Sequence, residues 1–199
     1  ITKSDLVVRD ADLLARIALD TACYVWFTIT TADDALAALV EPRSSSPTRR
    51  LAAIRALSDA GVTTGVTLMP VLPYLEDTEE NVADVVRRAA DSGASYVIPV
   101  FSMTMRDRRR DYYYAALDRQ WPGLSERYRR RYGKRYECPG ERAAAATGLC
   151  RTGCGVWAGH PSSSLGIVGC GHTGHSVLAQ GRVAFGMGRF VWHKRSVAG

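Results

Sequence analysis

Long apolar runs and histidine are missing from most of this 199-residue chain. No run of about 18 apolar residues occurs, so the sequence predicts no membrane-spanning helix. All four histidines lie after residue 150, so residues 1–149 cannot supply a Ser-His-Asp triad. Those residues also contain no GxGxxG or Walker-type loop for phosphate. These absences argue against an integral membrane protein, a triad hydrolase and a P-loop enzyme.

Signals for secretion are also lacking. The first residues are polar and strand-like, without the charged and apolar segments of a signal peptide. Five scattered cysteines suit a reducing compartment, and we expect Cys23 to be a buried thiol and Cys138 a loop thiol. The sequence therefore predicts a cytoplasmic location.

Charge divides the chain into three segments. Residues 1–105 hold 9 basic and 14 acidic residues, whereas residues 106–149 hold 12 basic and 6 acidic ones. Residues 150–199 hold 5 basic residues and no acid, together with 11 of the 18 glycines. Such a shift in composition indicates separate structural regions.

Strand and helix signals alternate through the first segment. Strands are predicted at residues 24–30, 62–70 and 94–101, after a strand end at residues 1–3. Four helices are predicted, at residues 10–20, at 32–39, from Ser46-Pro47 to Gly61, and from Thr78 to Gly93. The first is expected to place Leu13, Leu14, Ile17 and Ala18 on one face. The third is expected to point Leu51, Ile54 and Leu57 inward. This alternation predicts a parallel sheet with outer helices, fits either a β/α barrel or an open doubly wound sheet, and places a ligand site at the carboxyl ends of the strands. Because only four strands are counted, the sheet is expected to form an open arc and not a closed barrel.

A basic segment follows at residues 106–133. It is predicted to be helical, with a break at Trp121-Pro122-Gly123, and it carries arginine runs at 108–110 and 129–131 and tyrosines at 112–114. The favoured interpretation is a solvated helix with tyrosines inward and arginines outward. The alternative is that the basic helix binds nucleic-acid phosphate.

Several short motifs occur in a recognisable order. They are TKSD at residues 2–5, FTITT at 27–31, EP at 41–42, RLAAI at 50–54, LSDAG at 57–61, MPVLPYLEDT at 69–78, YYY at 112–114 and RYGKRYEC at 131–138. Over residues 1–142 the chain resembles the C-terminal half of a radical S-adenosylmethionine (SAM) protein, in the group related to spore photoproduct lyase.

This resemblance implies a fold and a chemistry. The fold is an incomplete (β/α)6 barrel from its third strand onward. The chemistry is that of a radical SAM enzyme, in which three cysteines in C-x3-C-x2-C hold a [4Fe-4S] cluster and S-adenosylmethionine binds its fourth iron. The chain lacks that motif, since Cys150 and Cys154 have no partner two residues later. We therefore expect it to lack the N-terminal half of the barrel, and to be inactive alone.

The resemblance also implies cofactor-binding residues, but no catalytic or metal-binding ones. They are Lys3, Thr28, Thr30, Met69, Pro70 and Val100. Lys3 would meet the cofactor carboxylate, and Thr28 would bind near its ribose and methionine. The backbone around Met69 and the side chain of Val100 would contact adenine. The alternatives are a surface lysine and ordinary strand residues, and Arg50 is expected on a helix surface.

Acidic pairs offer another site. Asp33-Asp34, Glu76-Asp77 and Glu79-Glu80 could act as acid–base pairs or bind a metal ion. The favoured interpretation is that these carboxylates stabilise helix N-termini.

The last segment, residues 143–199, is interpreted as a tail. Its Cys150, Cys154, Cys170, His172 and His175 could bind zinc, although the spacing matches no common zinc pattern. Divergent disorder is a second interpretation, and out-of-frame translation is the favoured one. For the whole chain, the alternative to a radical SAM fragment is a non-catalytic α/β module that binds nucleic acid.

Overall fold

The computed structural model describes residues 1–140 and 168–169, which form an α/β structure. The strands are β1 (Tyr24–Thr28), β2 (Thr63–Leu68), β3 (Tyr96–Pro99), β4 (Ser102–Thr104), β5 (Glu137–Pro139) and β6 (Val168–Gly169). A 3-10 helix (Asp5–Asp10) precedes the helices α1 (Ala11–Asp20), α2 (Asp34–Val40), α3 (Pro47–Asp59), α4 (Glu79–Asp91), α5 (Asp107–Gln120) and α6 (Leu124–Tyr132). The alternation of strands and helices through residue 101 confirms the predicted α/β class.

The main sheet has its parallel strands in chain order. β1, β2 and β3 are neighbours, with Phe27 opposite Val66 and Val66 opposite Val97. The predicted first strand is reduced to one residue, because only Thr2 forms a parallel bridge, to Phe27. β6 pairs antiparallel with β3. Within the described residues the sheet therefore has three parallel strands where four were predicted, and it does not close into a barrel.

The helix boundaries follow the capping signals. The Ser46 side chain accepts a backbone hydrogen bond at the start of α3, and Pro47 is its first residue. Thr78 caps α4 in the same way. Gly61 and Gly93 follow α3 and α4 with φ of +82° and +90°, a conformation that favours glycine. These five predicted signals are confirmed.

The first hydrophobic core lies between one face of the sheet and the helices. Phe27 and Val66 of the sheet pack with Ile54 and Val85 of α3 and α4, and none of these four is measurably exposed. Strand residues one position along point to the opposite face of the sheet. The helices thus cover one face of the parallel strands, as the arc interpretation requires.

The predicted inward face of α1 is wrong in part. Leu13 and Ile17 are 51% and 39% exposed, whereas Leu14 and Ala15 pack against the core. Ala11 lies on the same packed side. α1 therefore packs against the core through Ala11, Leu14 and Ala15 and not through Leu13 and Ile17.

A second core is built by α5, α6 and the β4–β5 pair. It includes Met103, Tyr114, Leu117 and Tyr128, all buried. The predicted helical segment and its break are confirmed, since residues 121–123 separate α5 from α6.

Three residues of this region differ from expectation. Tyr112 was expected to face inward, but it is 74% exposed. Arg110 does not point outward: it is 8% exposed, and its guanidinium donates to the carbonyls of Gly133, Met105 at 3.2 Å and Arg135 at 2.8 Å. These bonds hold the turn that precedes β5. Cys138 is not a loop thiol but a buried residue of β5, where burial raises the pKa of its thiol.

Cys23 lies beside the first core, whereas most of the tail lies outside the described residues. Cys23 is half-buried beside the first core, not fully buried. The interpretations of residues 143–199, including the zinc ligands, lie outside the described residues, which there comprise only Val168–Gly169. No helix in the described part of the chain is long and apolar enough to cross a membrane.

Candidate functional site at the carboxyl edge

The three parallel strands and the segments that follow them meet at one end of the sheet, here called the carboxyl edge. Ligand sites in parallel α/β proteins form at this end. Hydrogen bonds link the polar residues gathered there, which are Lys3, Thr28, Thr30, Glu41, Arg50, Glu76 and Asn81. They form two groups, one around Arg50 and one around Glu76.

Arg50 is the centre of the first group and corrects the sequence interpretation, which placed it on a helix surface. It is 2% exposed, and its Nη1 donates to the carbonyl of Thr28, the last residue of β1, at 2.6 Å. Its Nε donates to the carbonyl of Ser45 and its Nη2 to Glu41 Oε2, both at 2.7 Å. The first turn of α3 lies beside the end of β1, so the guanidinium reaches inward.

Glu41 joins Arg50 to Lys3. Its second oxygen accepts from the Lys3 ammonium, whose side chain is 42% exposed. Burial disfavours the charged form of Glu41, but the hydrogen bonds and charges of Lys3 and Arg50 outweigh it, so its pKa is lowered. Two cations thus share one carboxylate, which leaves this group with one positive charge.

Thr28 lies next to this group. Its hydroxyl is 2.8 Å from that of Thr67 on β2, on the face of the sheet opposite the helices. Both threonines are buried, at 6% and 1% exposed. The Thr28 hydroxyl is therefore already partnered, while its carbonyl anchors Arg50.

The same face carries a pair of aromatic rings further from the carboxyl edge. Trp26 and Tyr96 meet edge to face, with ring centroids 5.7 Å apart. Gly65 lies opposite Trp26 on the neighbouring strand, and a Cβ built there would be 2.3 Å from the Tyr96 ring. Glycine is required at this position because the ring occupies the space of a side chain.

Glu76 is the centre of the second group; the sequence analysis named it as a possible acid–base or metal-binding residue but favoured a role at a helix N-terminus. It is 1% exposed; the Thr30 hydroxyl donates to its Oε1 at 2.8 Å and the Leu72 amide to its Oε2 at 2.9 Å. Burial raises its pKa to about 7, against the effect of these two hydrogen bonds. α4 begins after the cap residue Thr78, so Glu76 lies outside the helix N-terminus that was expected to account for it.

Asn81 fixes the segments around Glu76. Its amide donates at 2.8 Å to the carbonyls of both Thr30 and Glu76, and its oxygen accepts from the Ala32 amide at 3.3 Å. A single side chain of α4 thus joins the ends of β1 and of the β2–α4 connection. No sequence motif pointed to it.

The remaining predicted site residues lie where the strands end. Met69 follows β2 and is half-buried, and Pro70 after it is exposed. Val100 follows β3 and is half-buried; its amide donates to the Leu68 carbonyl at 3.0 Å. All six predicted cofactor-binding residues therefore lie at the carboxyl edge, although their contact with a ligand stays a prediction.

The other two predicted acidic pairs, Asp33-Asp34 and Glu79-Glu80, lie at helix N-termini, as expected. Asp33 caps α2 by accepting from the Ala35 and Leu36 amides. Glu79 and Glu80 lie in the first turn of α4.

A basic face is formed by α5 and α6. The guanidinium of Arg127 lies 4.3 Å from the ring centre of Tyr74, and that of Arg129 lies 4.9 Å from Tyr114. Arg129 also approaches Glu126 at 3.8 Å. Aromatic rings thus support several arginines whose side chains reach solvent.

The cofactors that the described residues can bind depend on their metal-ligating and charged side chains. Their two cysteines lie in different cores, and no group of three or more metal-ligating side chains occurs among them. They do not fit an iron–sulfur cluster. The ammonium of Lys3, backed by Glu41 and Arg50, does fit the carboxylate of an amino-acid-like ligand such as S-adenosylmethionine.

Comparison with known proteins gives relatives without assigned activity. No protein-family model and no solved structure matches the chain. Uncharacterised proteins of Mycobacterium tuberculosis and Mycobacterium bovis are 34% identical over 132 residues, which is 66% of this chain and 38% of each relative. An uncharacterised protein of Acidianus two-tailed virus is 31% identical over 99 residues, 48% of this chain and 32% of that relative. The chain spans well under half the length of these relatives.

Proposed function

We propose that this chain is the C-terminal half of a radical SAM barrel and that its carboxyl edge binds S-adenosylmethionine. The observation that carries the proposal is the Lys3–Glu41–Arg50 group, which places a half-exposed ammonium at the end of a parallel sheet. The order of the motifs and the order of the strands both support this assignment.

Arg50, Glu41 and Lys3 have different roles in the proposed binding. Arg50 is buried and holds Glu41, so Glu41 stays ionised and in place. Lys3 is the exposed partner, and an exposed ion pair is worth only about 1 kcal/mol or less. Its ammonium can therefore turn from Glu41 toward a ligand carboxylate at little cost, while the guanidinium of Arg50 still balances the negative charge of Glu41.

The reaction belongs to the complete protein. S-adenosylmethionine supplies one-electron chemistry when it is bound beside an iron–sulfur cluster. In this proposal the cluster ligands come from a part of the barrel outside this chain. The chain alone binds S-adenosylmethionine but does not cleave it. We place the protein in the cytoplasm.

Calorimetric titration with S-adenosylmethionine tests the proposal. Lys3→Met should weaken binding about tenfold, because it removes one charged contact worth roughly 1.5 kcal/mol. Arg9→Met is the matched control, since Arg9 is exposed and, within the described residues, its ion pair is with the neighbouring Asp10. Equal affinities of the two variants, or no saturable binding by the wild-type chain, would contradict the proposal.

A second candidate function rests on the basic face of α5 and α6. Exposed arginines there stack on tyrosines, an arrangement that suits phosphate and base contacts. In this candidate the chain binds nucleic acid without catalysis. Binding to single-stranded DNA should then weaken steeply with salt and fall in Arg129→Gln and Arg130→Gln. Binding that is insensitive to salt and to both changes would rule it out.

A further inference from the structure

Tyrosines in the region of α5 and α6 differ in whether their rings are covered. Tyr114 is 3% exposed and lies under the guanidinium of Arg129, and Tyr74 is half-buried beside two other guanidiniums. Tyr112 and Tyr136 are instead 74% and 54% exposed. In the described part of the chain, neither of these two rings stacks on another ring or on a guanidinium. Their faces are therefore accessible to a ligand.

A buried arginine holds the turn before β5, residues 133–136, here called the basic turn. Arg110 of α5 donates to the carbonyl of Arg135 at 2.8 Å. The Met105 amide donates to the Tyr136 carbonyl at 2.7 Å. These bonds fix the basic turn against the start of α5, so the backbone under the exposed Tyr136 ring is held in place.

Positive charge surrounds the basic turn. Residues 127–135 contain six basic residues and no acid, and two of the six, Lys134 and Arg135, are exposed in the turn itself. Arg106, another exposed cation, lies beside the Tyr136 hydroxyl, where its side-chain hydrogen bond lowers the pKa of the phenol. A ring among exposed cations suits a ligand that carries both flat bases and phosphates.

The acids adjacent in sequence do not cancel this charge. Glu137 accepts from the Ser102 hydroxyl at 3.0 Å, and Asp107 lies in the first turn of α5, where an acid stabilises the helix N-terminus. Arg106 and the six basic residues of 127–135 outnumber these two acids, so the surface stays positive.

We propose that the basic turn binds single-stranded nucleic acid, with a base stacked on Tyr136 and the flanking phosphates on the exposed cations around it. This binding mode rests on the second candidate function, and it names the form of nucleic acid and the residue that selects it. A base can stack on a protein ring only when it is separated from its neighbours in the strand, so the ring favours single strands over duplexes. The cations alone would attract either form.

Fluorescence anisotropy of the full chain tests the binding mode, with a labelled oligodeoxythymidine of about 12 nucleotides and a labelled duplex of the same length as probes. Tyr136→Leu should weaken binding of the single strand roughly tenfold, the usual effect of losing one stacked base, and leave binding of the duplex unchanged. Tyr136→Phe keeps the ring and should bind as the wild-type chain does. Arg129→Gln and Arg130→Gln should weaken binding of both probes, since they remove charge alone.

Tyr112→Leu is the matched control. Tyr112 is also an exposed tyrosine, but it follows Arg110 by two residues and so lies about 200° around α5, away from the basic turn. It should leave both affinities unchanged.

The possible failures separate this binding mode from the candidate function on which it rests. Equal losses in Tyr112→Leu and Tyr136→Leu, no loss in Tyr136→Leu, or an equal loss for the duplex would overturn the stacking and leave the second candidate function intact. No saturable binding of either probe, or binding to phosphatidylserine vesicles in preference to both, would overturn the two together.

Discussion

Replacing Arg50 by methionine tests whether the carboxyl edge is organised by a buried guanidinium. The change keeps most of the apolar bulk but removes bonds to two backbone carbonyls and to Glu41. Each bond to a neutral carbonyl contributes about 1 kcal/mol and the charged one about 2 kcal/mol. We therefore expect the free energy of unfolding to fall by about 4 kcal/mol, a large part of the 5–15 kcal/mol of a typical domain. Urea denaturation followed by circular dichroism measures it.

The neighbouring residue provides the matched control for this change. Arg49 lies on the same helix turn, is 66% exposed and pairs with Asp5 at 2.8 Å. Arg49→Met should cost no more than about 1 kcal/mol. Adding Glu41→Gln to Arg50→Met should recover about 1 kcal/mol, because the carboxylate left without its buried partner is removed. If Arg50→Met costs no more than Arg49→Met, the structural role assigned to the guanidinium is wrong.

The remaining predictions concern pH and packing. Because the folded-state pKa of Glu76 is about 7 and its ordinary value is 4.5, its stabilising effect is complete below pH 4.5 and lost as pH rises through 7. Urea denaturation should show a loss of about 3 kcal/mol over that range, absent in Glu76→Gln. Gly65→Ala should lower the free energy of unfolding by about 2 kcal/mol, because the added methyl group meets the Tyr96 ring. In a chain that already carries Tyr96→Ala, the same change should not have this cost, and thermal denaturation measures both. Tyr128→Phe loses the hydroxyl bond to the Pro73 carbonyl and should cost about 1 kcal/mol by the same assay.

Local signals account for the parts of the fold that the sequence predicts. Caps such as Ser46 and Thr78 and stops such as Gly61 act within one helical turn, so they can be read without knowing the tertiary structure. The apolar strands are similarly local. The edge where the strands end follows from parallel pairing, which is why residues as distant as Lys3 and Val100 could be placed together.

The buried polar groups were missed because their partners are distant in sequence and because residue type was followed instead of local position. Arg50 was assigned to the surface by residue type, although its spacing to Ile54 and Leu57 puts it on the inward face of α3. Glu76 was grouped with helix-terminal acids, and only the position of the Thr78 cap separates it from them. In both cases the charge of the side chain suggested a solvent-exposed position, although a charged side chain can be buried when it has a partner.

Binding of S-adenosylmethionine at the carboxyl edge is tested most directly by NMR chemical-shift mapping on the chain. Saturating cofactor should perturb the amides of Lys3, Thr28, Thr30, Met69 and Val100, all at the carboxyl edge, and should leave α5 and α6 unchanged. Perturbations confined to α5 and α6, or none at the carboxyl edge at millimolar cofactor, would contradict the claim that this edge is the binding site.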